Sequence, residues 1–180
     1  MTAPSLAEVL KVARQVPVFP CRDLEEWIEI DGERKRRGPK SPYTTDGFKA
    51  ASQDPDQIGR WYAEYPGCLW GVPTGRVTRL IVLDYDPSKV TAVTDEWIEA
   101  HTAVLMQARI HTTGRAGRHY VYRATNGAIY TCGTDVTLDG KKRPGLDIRG
   151  EGGYVIWWPL QGLHQEGTAP ELPAELLKER

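Results

Sequence analysis

Hydrophobic positions change period along this chain. Leu6, Val9, Leu10 and Ala13 recur at helical spacing behind Ser5-x-x-Glu8, a capping box, and predict a helix over residues 5–14. Val16-Pro17-Val18-Phe19-Pro20 reads as a short strand ended by proline. Trp27-Ile28-Glu29-Ile30 before Asp31-Gly32 reads as one arm of a hairpin. Residues 33–46 are polar, basic and rich in Gly and Pro, which predicts a loop or a ragged return strand. Asp54-Pro55 supplies an N-cap and a proline at the first helical position, for a helix that carries Ile58, Trp61 and Tyr62 inward and stops near Pro66-Gly67. Strands follow at 69–72 and 79–86, with a turn at Pro73-Thr74-Gly75 between them. Val90, Val93, Trp97 and Ile98 return to helical spacing within 88–104. Further strands are predicted at 108–112, 118–124, 127–132, 145–149 and 153–158, and Leu172, Leu176 and Leu177 suit a short closing helix. Helices come early and strands dominate late, so the class is α+β rather than a regular βαβ alternation.

Composition narrows the setting. The chain has 180 residues, 40% hydrophobic and 26% charged, an ordinary balance for one globular domain or two small lobes sharing a core. No apolar run approaches the ~20 residues of a membrane span, and the N-terminus lacks the basic start and apolar stretch of a secretory signal. Cys21, Cys68 and Cys132 are isolated thiols without a CxxC pair, which argues against a disulfide framework and a structural zinc site. A cytoplasmic setting follows. Net charge is −1, so the whole-molecule field does not advertise nucleic acid. Arg34-Lys35-Arg36-Arg37 with Lys40, and Lys141-Lys142-Arg143, are nevertheless local basic clusters.

The candidate chemistry starts at Leu80-Ile81-Val82-Leu83-Asp84-Tyr85-Asp86-Pro87. In a strand, Asp84 and Asp86 share one face and Tyr85 takes the other. Two neighbouring carboxylates repel unless a cation sits between them, and Mg²⁺ is held by one or two carboxylates plus substrate phosphates. A strand ending in a solvated Asp-x-Asp turn fits the same residues. Thr113-Gly114-Arg115-Ala116-Gly117-Arg118-His119 then places two glycines and two arginines before a histidine at a strand start. Glycine permits close backbone approach to a ligand, and arginine grips phosphate oxygens bidentately. Asp147 and Arg149 share a face of the strand at 145–149, and Lys40 lies in the Gly38-Pro39-Lys40-Ser41-Pro42 loop. Each of these also fits a solvated hairpin or loop taken alone.

Their order is more specific. Phe19-Pro20-Cys21, Gly38-Pro39-Lys40-Ser41-Pro42, Gly47-Phe48-Lys49-Ala50-Ala51-Ser52, Gly71-Val72-Pro73-Thr74-Gly75, Leu83-Asp84-Tyr85-Asp86, Gly117-Arg118-His119-Tyr120 and the stretch from Gly145 to Val155 together resemble the primase-polymerase domain of plasmid, phage and mobile-element replication proteins, in the archaeo-eukaryotic primase superfamily. The resemblance spans about residues 16–160. It implies a single primase-polymerase domain over 1–180, an RRM-like sheet carrying the active site, and a small N-terminal α/β unit. It implies that Asp84, Asp86 and Asp147 bind two Mg²⁺ or Mn²⁺ ions, with no zinc. His119 would contact the triphosphate, helped by Lys40, Arg115, Arg118 and Arg149. The implied activity is template-directed nucleotidyl transfer on single-stranded or primed DNA with dNTP or NTP. Starting a primer from two nucleotides is left open. The implied setting is bacterial or phage- or plasmid-encoded, with a helicase domain or replication protein as a further partner. A metal-dependent nuclease and a non-catalytic nucleic-acid-binding module are the alternatives. Trp61, Tyr62, Trp70, Trp97, Trp157 and Trp158 suit the core better than a base-stacking platform.

Overall fold

The computed structural model describes residues 2–125 and 128–176. In chain order the helices are α1 (Leu6–Ala13), α2 (Pro55–Glu64), α3 (Ala92–Ala100) and α4 (Thr102–Leu105). The strands are β1 (Phe19–Cys21), β2 (Glu26–Ile30), β3 (Glu33–Arg37), β4 (Leu69–Pro73), β5 (Leu80–Tyr85), β6 (Arg109–Thr112), β7 (Arg118–Arg123), β8 (Thr137–Leu138), β9 (Lys141–Lys142), β10 (Leu146–Arg149), β11 (Tyr154–Ile156) and β12 (Gln165–Glu166). Every pairing between these strands is antiparallel, and the class is α+β. By packing, the chain divides into one unit of residues 1–73 and 154–162 and another of 74–153 and 163–180.

In the first unit, β4 is the middle of a three-stranded sheet ordered β1-β4-β11. Phe19 lies opposite Gly71, and a Cβ at Gly71 would strike its ring, so the glycine is what lets the ring cover the strand. Ser5 and Glu8 cap α1 reciprocally as expected, and the Asp54 carboxylate accepts from the Asp56 N–H at 3.0 Å to start α2. Ile58 and Trp61 are buried, while Tyr62 is half-buried and donates its hydroxyl hydrogen to the Pro4 carbonyl. Asp31 and Gly32, both at positive φ, close the β2–β3 hairpin, so the return strand is regular rather than ragged.

The second unit is a five-stranded sheet ordered β10-β5-β7-β6-β12. One face carries Ile81, Leu83, Tyr120, Tyr122 and Ile148 into a core with Trp97 and Leu105 from α3 and α4. The alternate residues of the same strands form the other face. Three expectations need correction here. The helical stretch begins only at Ala92, after a turn at Asp86–Ser88, and is interrupted at His101, whose ring stacks on Trp97 at 4.3 Å. Val93 is exposed. No strand forms at 128–132: only Thr131 makes an isolated bridge there, to Glu151, and Gly133 just beyond it bridges Ile148 of β10. Of the closing helix, a short 3-10 turn spans Ala174–Leu176, and Leu177 lies outside the described residues. Cys21 and Cys68 are buried free thiols, with burial pushing Cys68 up to about 12, and Cys132 is exposed. No described helix is long and apolar enough to cross a membrane.

Candidate active site

Register builds the site. Gln165 of β12 lies opposite His111 of β6, His111 opposite His119 of β7, His119 opposite Asp84 of β5, and Asp84 opposite Asp147 of β10. One line of polar side chains therefore crosses all five strands on the face turned away from the apolar core. Asp84, His119 and Asp147 are thus neighbours despite their separation in the chain.

The contacts follow from that line. His119 is buried, and its Nε2 stands 3.5 Å from Asp84 Oδ1. Arg149, two residues beyond Asp147 on the same face, folds back so that its Nη2 lies 2.7 Å from Asp147 Oδ2 and 3.5 Å from Asp84 Oδ2. One guanidinium thus stands between two carboxylates and offsets their repulsion. Asp147 Oδ1 accepts the Asp135 N–H at 2.9 Å, and Asp135 Oδ1 accepts the Gly145 N–H at 2.8 Å. Asp135 therefore fixes both ends of the turn that leads into β10. No sequence signal singled it out, because it works through a loop.

Asp86 lies one residue past the end of β5. Its Oδ1 accepts from the Ser88 N–H and hydroxyl, and Oδ2 stands 3.3 Å from Lys89 Nζ. The Ser88 hydroxyl above all, with the Ser88 N–H and Lys89, holds its pKa below the usual carboxylate range, although burial pushes the other way. Asp86 is ionised and close in sequence, but engaged by its own turn. Arg115 is exposed at the loop tip. Arg118 is set by alternation on the opposite face from His119, across from Tyr85 and bonded to Tyr120. Lys40 belongs to the first unit, where its ammonium stands 5.2 Å from the centre of the Trp158 ring.

Two neighbours complete the picture. His111 is fully buried, with ring centres 6.4 Å from His119. Burial, helped by His119 and Arg109, pushes its pKa down to about 3, so it is a neutral imidazole. Period-two alternation within the strand at 108–112 was the signal that would have found it. Gly117 opens β7, and a Cβ there would collide with the Tyr85 carbonyl and stand 3.0 Å from Thr113 Oγ1.

The donor set is oxygen-rich and hard, and two carboxylates converge on one positive centre. That suits a divalent ion completed by phosphate oxygens rather than a protein-only cage. Among the described residues, no three His, Cys, Asp or Glu side chains stand arranged as such a cage. What the sheet defines is a half-buried anionic pair flanked by a histidine and a mobile-length cation, a layout suited to phosphoryl groups. The chain belongs to the family of bifunctional DNA primase/polymerase N-terminal domains (Prim-Pol), whose sequence model matches residues 9–173. A search of the curated proteins finds no match.

Proposed function

We propose that this chain is a template-directed nucleotidyltransferase that extends DNA with nucleoside triphosphates, and that both units together make its catalytic domain. Membership of the primase/polymerase family supports the reaction class. The observation that carries the site assignment is the line of His119, Asp84 and Asp147 in register, with Arg149 between the two carboxylates. Asp84 and Asp147, with Asp86 as a third carboxylate, would hold divalent cations. Bound Mg²⁺ or Mn²⁺ supplies charge neutralisation at the attacking and leaving oxygens of an in-line displacement.

The rest is the work of side chains. His119 donates to triphosphate oxygens from a fixed position in the sheet. Arg149 offers a planar fork to the same oxygens, and Arg115 is a further candidate for them. The 3′-hydroxyl oxygen bonds to the α-phosphorus as the bond to the β-bridging oxygen breaks. Pyrophosphate leaves and the hydroxyl proton passes to solvent.

The test is extension of a labelled primed template with dNTP and Mg²⁺ or Mn²⁺. The wild type should extend the primer, and Asp84→Ala with Asp86→Ala should lose extension while remaining folded, because removing carboxylates relieves repulsion. Extension that survives the double substitution overturns the assignment. Shortening of the labelled strand instead would identify a nuclease.

A further inference from the structure

Resting on that reading, we propose that Arg149 and the divalent ion compete for the same two carboxylates, so that metal binding releases the arginine to the triphosphate. Three features point to this. The guanidinium does not simply pair with the nearest acid: one nitrogen, Nη2, serves both Asp147 Oδ2 at 2.7 Å and Asp84 Oδ2 at 3.5 Å. A cation held by those oxygens would meet that nitrogen, and two positive centres cannot share the space. The arginine side chain is also 34% exposed, against 16% for Asp147, so it can leave by its outer end while the carboxylate stays. Finally, the carboxylates are anchored without it: Asp147 Oδ1 keeps the Asp135 N–H, and Asp84 keeps His119.

The consequence is an exchange of partners. With Arg149 on the carboxylates, the site resists both their mutual repulsion and adventitious cations. When a metal–triphosphate enters, the metal takes the oxygens and the displaced fork finds phosphate oxygens, to which arginine binds bidentately. Nucleotide and metal then reinforce each other through this side chain, and the coupling is reciprocal. Arg149 is thus a competitor of the metal at the carboxylates and a contact for the nucleotide once displaced.

The experiment measures Mn²⁺ binding to the full chain by loss of the free-ion EPR signal, without nucleotide. It compares wild type, Arg149→Gln, Arg149→Lys and the double variant Asp84→Asn with Asp147→Asn. Arg149→Gln should bind Mn²⁺ more tightly, on the order of tenfold, because a competing charge is gone from a partly screened site. Arg149→Lys should stay within about threefold of wild type, since it keeps the charge. The double variant should lose the binding. Adding a non-hydrolysable dNTP analogue should tighten Mn²⁺ binding more in wild type than in Arg149→Gln. Melting temperature supplies a second readout: Mn²⁺ should raise it more in Arg149→Gln than in wild type.

Unchanged or weaker Mn²⁺ affinity in Arg149→Gln overturns the competition. If the wild type still extends primers in that case, the nucleotidyltransferase reading stands alone. If extension survives Asp84→Ala with Asp86→Ala, that reading falls and the competition falls with it.

Discussion

His111 has none of its surface exposed, and burial beside His119 and Arg109 pushes its pKa down to about 3. An unfolded histidine titrates near 6.5. Between about pH 6.5 and 3, the unfolded chain therefore holds a proton at this position that the folded chain does not, and stability falls as pH falls through that window. The slope is roughly 1.4 kcal/mol per pH unit for one such group. Thermal melts at pH 7 and pH 5 should show a larger drop in Tm for wild type than for His111→Gln; equal drops would place the acid sensitivity elsewhere. At this scale the sequence exposed the order Asp84, His119, Asp147, because aspartate and histidine within or at the ends of apolar strands stand out from their neighbours. It did not separate Arg118 from His119 as ligand candidates, although adjacent strand residues must face opposite ways. Nor did it show that Asp86 would be taken by Ser88 and Lys89, since that depends on where β5 stops. The six aromatics weighed for base stacking are buried or half-buried, whereas Trp27, not among them, is 55% exposed on the hairpin with Arg34 over its ring.

Among the elements, the approach to β7 is tightly constrained. Gly117 lies where the chain passes the Tyr85 carbonyl, just before the pairing of His119 with Asp84. Gly117→Ala should force the strands apart at that point, costing about 1–3 kcal/mol by overpacking. Primer extension should fall on the order of 100-fold through misplacement of the histidine. Gly59 in α2 makes the contrast, since a Cβ there meets nothing within 4 Å. Gly59→Ala should raise stability by about 0.5–1 kcal/mol, seen as a higher Tm with extension unchanged. Elements with local signals were legible: the Ser5 capping box, the Asp54-Pro55 start and the Asp31-Gly32 turn each encode their own geometry. The stretch at 127–132 was not. It has strand-like composition, yet residues 128–132 make only one isolated bridge, Thr131 to Glu151, and the next bridge to β10 falls just beyond them at Gly133; residue 127 lies outside the described residues.

For the whole molecule, the order of segments matters more than their composition. The first unit is discontinuous: β11, contributed by residues that follow β10 of the second unit, lies beside β4, with Tyr154 opposite Pro73 and Ile156 opposite Gly71. Trp157 and Trp158, both buried, follow directly. A chain ending at Gly153 would leave that side of β4 bare and remove both tryptophans from the core. We expect it to lose the cooperative melting of the first unit, as followed by near-UV circular dichroism. An unchanged transition would show that β11 is dispensable. Hydrophobic periodicity could not announce this arrangement, because a strand's own pattern says that it pairs but not with which partner. The α+β class survived that ignorance, since it needs only the kinds of element and their order.

The line of residues across the second sheet also limits how such a protein can vary in length. Side chains alternate with a period of two, so deleting one residue within β5, β7 or β10 would turn Asp84, His119 or Asp147 through the sheet and into the apolar side. Deleting two would restore the face but shift the position along the strand by about 7 Å. Length changes are therefore tolerable only between these strands, in the stretches joining β5 to β6 and β7 to β10. Viable relatives should differ in spacing there while counting the same number of residues from each strand's start to its polar member.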